Sequence, residues 1–351
     1  MADLRFASHF PFAQEAKTYV REQKLALDAA ALADGEARIR EGLSTGALKL
    51  VAADLETAQT RQITAYAASR FILAAWGNRW ALRRMAVAES KRAHEYLQGA
   101  ADTRAGYLLT LAKEFGMELT AAEKAAQTYA LPFWQYLPNA PRDVHYKLAN
   151  MPLAAGQVSV SAHQAMRLVE EAARHRLEEP TAAMSEVPDE IKPIIARLDA
   201  LIPKESIAIS KIEQTDFPPC IQKLLSDLSH SVNVPHLGRL ALAIYLIKAG
   251  LDDEKICALF SRAPAYDADT TKYQVQYTRK KAYSMPSCTT MDSWGVCIAQ
   301  CRCFNPLKFK QAVHGANARA SMSQTAGEGH GVEAQKPAAI IDPNIGIKRS
   351  E

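Results

Sequence analysis

No apolar run in the chain approaches the roughly 18 residues that a membrane-crossing helix needs. The charged start, with Asp3, Arg5 and His9, does not make a secretory leader. A glycine-rich phosphate loop is missing, as is any convincing nucleophile–base arrangement, so a self-contained hydrolase or nucleotide-hydrolysing site is not expected. Aromatic residues are few, at 7%, and none follows Phe309. Residues 311–351 are dominated by Gly, Ala, Ser, Gln and Pro and offer little to bury, so they are expected to be disordered. Their most apolar stretch, Ala338-Ala-Ile-Ile-Asp-Pro, reads as part of the same disordered end. Cysteine is scarce too. There are only 6 in 351 residues, and none precedes Cys220.

What is present describes an ordinary globular chain: 48% hydrophobic residues, 23% charged, and a pI near 8.6. The length suits two or three domains. Charge is unevenly shared. Residues 1–205 hold 25 basic and 25 acidic side chains, whereas residues 206–310 hold 13 and 9, so the whole formal charge of +4 resides there. That bias fits a polyanionic partner.

Residues 1–130 read as helices, because apolar side chains recur at three- and four-residue spacing, as in Ile63, Tyr66, Ala67, Arg70, Phe71 and Ala74. Gly77-Asn78 and Phe115-Gly116 mark helix ends. Between Asn139 and Ser161, prolines 138, 141 and 152 break helices and Val158-Ser-Val160 alternates, which predicts a short strand or hairpin. Helix resumes over 162–176. An acidic, proline-bearing linker follows, then a shorter helix before Pro203. Residues 217–310 are again helical, with 237–249 the most apolar element and Asp252–Glu254 opening another helix. The expected architecture is mainly α: a helical N-terminal domain over 1–205 with a small β-hairpin region (linker about 178–205), a helical cysteine-bearing domain over 206–310, and the tail.

Five cysteines are placed where they can converge. Cys220 lies in F-P-P-C-I (217–221), Cys288 in P-S-C (286–288), and Cys297, Cys301 and Cys303 in G-V-C-I-A-Q-C-R-C-F-N-P-L (295–307). In a reducing compartment clustered thiols are read as metal ligands before disulfides. A structural zinc site wants two close ligand pairs. An iron–sulfur cluster accepts lone ligands far apart in sequence. Cys220 and Cys288 are each isolated, which favours the cluster. The C-x3-C-x2-C pattern fails, since its third position is Phe304. Cys257 reads as a helix-core thiol, and one of Cys301 and Cys303 is spare.

These motifs are carried together with H-L-G-R-L-A-L-A-I-Y-L (236–246), T-K-Y-Q-V-Q-Y (271–277) and P-S-C-T-T-M (286–291). N-terminal to them stand F-P-F-A-Q-E-A-K-T-Y-V (10–20), A-V-A-E-S-K-R-A (86–93) and K-L-A-N-M-P-L-A-A-G-Q-V (147–158). In order and spacing the set resembles the large subunit of archaeal and eukaryotic DNA primases, over residues 8–309. The resemblance implies a [4Fe-4S] cluster held by Cys220, Cys288 and Cys297. It places the fourth ligand four residues before an Asn-Pro-Leu motif, which is Cys301 here, with Cys303 as a possible substitute. It further implies a heterodimer with a small catalytic primase subunit docked on the N-terminal domain, with Asn139–Val160 contributing. Single-stranded DNA template and the primer 5′ end or initiating nucleotide would be bound, in a soluble, cytoplasmic, nucleoid-associated protein.

His236 and Arg239 share one face at a helix start, where a forked guanidinium and free N–H groups suit phosphate. They match the family's positions for template and primer 5′ end. Tyr273, with Gln274 and Tyr277, precedes Arg279-Lys-Lys281; aromatics beside cations suit single strands. Lys272 is a further phosphate contact. Arg70, Arg83, Arg84 and Arg92 are expected on solvated or salt-bridged helix faces. A rival reading takes Asp267 and Asp269 as a D-x-D metal pair for nucleotidyl transfer, yet they follow Pro264-Ala-Tyr, a loop, with no third carboxylate on a comparable strand. A non-catalytic, regulatory primase subunit is therefore expected. The other-class alternative is a free-standing iron–sulfur or zinc protein that binds nucleic acid in repair or transcription.

Overall fold

The computed structural model describes residues 3–309 apart from 51–54, 100, 124–127, 142, 181–185, 203–216, 300 and 302. The tail expected to be disordered lies outside the described residues, as does the start of the cysteine-bearing segment. Six helices come first: α1 (Leu4–His9), α2 (Gln14–Glu22), α3 (Ala29–Thr45), α4 (Glu56–Trp76), α5 (Arg79–Gln98) and α6 (Ala101–Glu114). Their ends are written locally. Asp28 and Asn78 accept the backbone N–H of Ala31 and Ala81 at 2.8 and 2.9 Å. Gly77 closes α4 at φ 65°, a left-handed conformation that glycine adopts without a Cβ clash.

Strands β1 (Thr120–Glu123), β2 (Thr128–Pro132), β3 (Leu153–Ala154) and β4 (Gln157–Ser161) form one antiparallel sheet in the order β1-β2-β4-β3. The alternation in Val158-Ser-Val160 correctly marks β4, whose two valines are buried opposite Leu131 and Tyr129. The expectation of helix up to residue 130 is corrected here. Thr120-Ala-Ala-Glu123 has helical composition, but pairing of Thr120 with Ala130 and Ala121 with Tyr129 decides its conformation. Helix α7 (Phe133–Asn139) follows β2, and α8 (Ala162–Glu178) starts on a capping box between Ser161 and Gln164.

The N-terminal lobe has two buried clusters. In one, Phe6, Phe10, Tyr96, Leu111, Leu131, Val158 and Leu168 join α1, α5, α6, α8 and the sheet. In the other, Ile39, Ile72, Met85, Ile191 and Leu198 join α3, α4, α5 and α9 (Lys192–Asp199). The stretch read as linker therefore includes a helix that belongs to this core. Helices α3 and α4 approach so closely that a Cβ on Gly35 would stand 2.7 Å from that of Ala68. A buried ion pair crosses this packing: Arg38 donates to both carboxylate oxygens of Glu89, at 2.6 and 2.8 Å.

The C-terminal lobe consists of α10 (Pro219–Ser229), α11 (His236–Lys248), α12 (Asp253–Phe260), α13 (Ala268–Lys281) and α14 (Cys288–Ser293). Helix α11 is its axis, burying Ala241, Leu242, Ile244 and Leu246 against Leu224, Ile256, Phe260 and Met291. Each such leucine or isoleucine contributes about 1.5–3 kcal/mol. The lobes touch through α5. Arg84 is only 2% exposed. Its guanidinium donates to the carbonyls of Leu43 at 2.6 Å, Pro264 at 3.1 Å and Tyr266 at 2.8 Å. Arg83 donates to the His230 carbonyl, and Lys147 to that of Ser293. The solvated or salt-bridged fate expected of these arginines is corrected: Arg70, Arg83, Arg84 and Arg92 all bond backbone carbonyls. Among the described residues no helix is long and apolar enough to cross a membrane.

Candidate thiol centre and nucleic-acid interface

Pro218 and Pro219 start α10 without needing N–H partners, which places Cys220 in the first turn. Cys288 opens α14, whose Ser287 cap accepts the Thr290 N–H at 3.2 Å. The chain then turns at Gly295, and after Cys303 it comes back to the start of α14: the Cys288 N–H donates to the Phe304 carbonyl at 2.9 Å. Asn305 secures the return by accepting the Leu307 N–H and donating to the Met285 carbonyl. The sulfur of Cys303 consequently lies 3.4 Å from that of Cys288 and 3.2 Å from that of Cys301.

Cys220, although 68 residues before Cys288, belongs to the same group. Burial pushes its thiol up to about 11, a backbone hydrogen bond opposes, and the charges of Cys297, Cys301 and Cys288 add to the rise. Burial also raises Cys288 and, strongly, Cys303. Cys257 stands apart on α12, where burial raises its thiol, Asp253 and Glu254 add to the rise and Lys272 opposes, with no other thiol taking part. Among the described residues no three Cys, His, Asp or Glu side chains converge tightly enough to hold a single metal ion. A cluster makes a different demand, because each thiolate binds its own iron. The gathered donors are all sulfur and come from both ends of the lobe, and two of them, Cys220 and Cys297, pack in the cluster that holds Phe217, Met291 and Val296. Donor type and setting fit an iron–sulfur group.

The second feature is cationic. His236 is the first residue of α11, whose Pro235 cap supplies no side-chain acceptor. Gly238 lets α11 meet α10: a Cβ there would stand 3.2 Å from Leu224. Arg239 is half-buried, and its Nε is enclosed with no hydrogen-bond partner. Burial lowers its pKa. Burial lowers that of His236 as well, helped by Arg239 and opposed by Asp143. The tyrosines lie elsewhere, on α13. Tyr273 is 64% exposed and stacks on Tyr277 at 5.9 Å, with Tyr283 and the Lys281 ammonium near the second ring. Lys272 is exposed beside them, while Arg279 is tied to Asp253 at 2.7 Å. Aromatic faces with nearby cations and open solvent can stack bases.

The D-x-D pair has another use. Asp267 caps α13, accepting the Thr270 N–H at 2.8 Å, and Asp269 lies in the first turn. Both are on a helix start rather than a strand, and Arg84 and Lys91 stand near Asp267. Nothing in the helical periodicity of α5 marks Arg84 as an interlobe residue; only the carbonyls of Pro264 and Tyr266 opposite it do.

Residues 210–332 match the sequence pattern of a family described as the C-terminal domain of the eukaryotic and archaeal DNA primase large subunit. A DNA primase large subunit from Methanocella arvoryzae is 30% identical over 310 residues, covering 83% of this chain and 82% of that protein. One from Methanosarcina acetivorans is 28% identical over 316 residues, covering 84% and 83%. A third, from Archaeoglobus fulgidus, is 27% identical over 247 residues, covering 69% and 66%.

Proposed function

Because the chain belongs to the family of archaeal and eukaryotic DNA primase large subunits, we propose that it is the regulatory, non-catalytic partner of a small catalytic primase subunit. The N-terminal domain would hold that subunit. Phe133, Trp134, Leu137 and Leu153 are exposed together around α7 and β3, partly within the region read as a docking edge. The C-terminal domain, reached through the segment about residues 178–205, would carry a [4Fe-4S] cluster on Cys220, Cys288, Cys297 and Cys301, with Cys303 packed beside them.

When bound, the cluster would supply the cross-links that tie the first turn of α10 to the last loop, and with them much of this domain's stability. The chain's own residues would do the rest. His236 and Arg239 would hold the phosphates of the primer 5′ end or initiating nucleotide. Tyr273 would stack a template base, and Lys272 would neutralise a neighbouring phosphate. Holding two loosely bound nucleotides and a template in register lowers the entropic part of the barrier to the first bond. Metal-binding carboxylates for that bond would come from the small subunit, since Asp267 is committed to capping α13.

The gathering of thiols from both ends of the C-terminal lobe carries this reading. The test is anaerobic purification with iron, sulfide and zinc assayed. About four irons and about four sulfides per chain are expected, lost with Cys220→Ser or Cys301→Ser. One zinc without sulfide would replace the cluster reading by a zinc-stapled nucleic-acid module.

A further inference from the structure

A centre with four ligands leaves one of the gathered thiols over, and Cys303 differs from the rest in its setting. It is 3% exposed, whereas Cys288 and Cys301 are partly open to solvent. Its sulfur touches two others, that of Cys301 at 3.2 Å and that of Cys288 at 3.4 Å. Cys297 turns its S–H elsewhere, to the Ala299 carbonyl at 3.5 Å.

The backbone holds Cys303 there under strain. Phe304, 80% exposed, has φ 54°, in the left-handed region that a bulky side chain rarely enters. The turn leaves the Phe304 ring in solvent and Cys303 buried. Such a conformation persists only where its surroundings fix it. Here the Cys288 N–H donates to the Phe304 carbonyl at 2.9 Å, and the Asn305 side chain donates to the Met285 carbonyl at 3.3 Å. Segments 285–288 and 303–305 are thereby fastened side by side. Cys288 and Cys303, 15 positions apart in sequence, meet across that seam, and each side chain keeps its own torsions for reaching the roughly 90° dihedral of a disulfide. Cys301 stands only two positions from Cys303. A bond between those two would close a ring over a single residue, Arg302, with few torsions left to adjust.

We propose that Cys303 is a resolving thiol for Cys288: when a hydroperoxide oxidises Cys288 while its sulfur carries no metal, Cys303 closes a Cys288–Cys303 disulfide. In the first step the O–O bond of hydrogen peroxide breaks. One oxygen joins the Cys288 sulfur as a sulfenic acid, and the other leaves as water. In the second step the Cys303 sulfur attacks that of Cys288. The S–S bond forms, the S–O bond breaks, and the departing hydroxide takes the Cys303 proton to become water. Two thiols lose two electrons and two protons, and one peroxide becomes two waters. A dithiol reductant reverses the bond by exchange. Without Cys303 the sulfenic acid advances to a sulfinic acid, which thiols do not restore. Cys303 therefore keeps the ligand set fit to be loaded again. The proposal rests on the reading above only in taking Cys303 as the thiol left over.

The test uses the full-length chain, purified anaerobically with iron and sulfide assayed, then treated with hydrogen peroxide until iron is released, blocked with N-ethylmaleimide and digested with trypsin. Cleavage after Arg302 separates Cys303, in 303–308, from Cys288, Cys297 and Cys301, in 282–302. Mass spectrometry is expected to find the two peptides joined, with fragmentation placing the bond on Cys288 and dithiothreitol parting them. Cys301→Ser should still give the joined pair. Cys303→Ser and Cys303→Ala should lack it and carry about ten-fold more sulfinic acid on Cys288, since intramolecular capture outruns a second oxidation; melting curves like the parent's would show that both fold. A bond from Cys303 to Cys301, or equal sulfinic acid in parent and variants, would overturn the proposal. Iron in the parent but no joined peptides after its release would overturn it and leave the cluster reading standing. Joined peptides from a chain that never held iron or sulfide would remove the cluster reading and leave the Cys288–Cys303 pair.

Discussion

Replacing Arg84 by methionine keeps much of the apolar stem and deletes three hydrogen bonds, to the carbonyls of Leu43, Pro264 and Tyr266. Two of the three cross between lobes. A hydrogen bond is worth about 1 kcal/mol net, and one from a charged donor more. Removing a desolvated guanidinium returns part of that, since burial already lowers the Arg84 pKa. Docking of the lobes should therefore weaken by about 2 kcal/mol, roughly 30-fold in the docking equilibrium. Total stability should fall by about 3 kcal/mol.

Hydrogen exchange reads the two effects separately. Amides around Ala263–Thr271, where the Tyr266 and Thr271 N–H groups are bonded to Ala263 and Asp267, should exchange faster in Arg84→Met. Those within α11 should follow only the global loss. Small-angle scattering should show a larger radius of gyration as the lobes part. Arg83→Met, which removes one contact to the His230 carbonyl, serves as the mild control. Unchanged exchange at 263–271 together with an unchanged radius would refute the claim that Arg84 holds the lobes together.

The thiols give a second expectation: Cys301→Ser should lose iron, whereas Cys303→Ser should keep it, as read by iron content and visible absorption. The opposite result would make Cys303 the fourth ligand. Tyr273→Ala should weaken single-stranded DNA binding by about 1–3 kcal/mol, the usual worth of a stacked base, while Tyr273→Phe should not; equal losses would point to the hydroxyl instead. The imidazole of His94 is held below its ordinary value by burial, with Glu170 opposing. It is neutral in the fold where the unfolded chain takes up a proton, so its contribution is full above about pH 6.5 and is lost as pH falls through the lower folded value. His94→Gln should accordingly narrow the difference in melting temperature between about pH 7.5 and 5.5; a difference as large as the parent's would exclude His94 as the cause.

Helix ends and the thiol group were legible because their signals are local or chemically rare. Gly77-Asn78 ends one helix and caps the next with no help from the rest of the chain. Cysteine is so infrequent that five of its six occurrences near two ends of one segment carried meaning without any distance. Strand β1 was not legible, since Thr120-Ala-Ala-Glu123 becomes extended only by pairing with β2. The arginines failed for a related reason. Periodicity tells which face a residue occupies, but not that the surface opposite Arg84 presents the bare carbonyls of Pro264 and Tyr266. Residues whose partners lie 180 or more positions away have no local signal to read.

That same long-range contact has a thermodynamic consequence. A guanidinium bonded to a carboxylate would neutralise the junction, whereas Arg84, bonded to carbonyls, fastens the lobes while leaving their seam positive. Arg84 reaches Leu43 through its Nε and both Pro264 and Tyr266 through one terminal nitrogen, so the contact depends on the planar fork as well as on the charge. Arg84→Lys keeps the charge but offers one compact ammonium, which does not span the same three carbonyls. Hydrogen exchange at 263–271 should therefore quicken in Arg84→Lys as it does in Arg84→Met, by the equivalent of about 1–2 kcal/mol. Parent-like exchange at 263–271 in Arg84→Lys would show that the charge alone, and not the forked geometry, fastens the lobes.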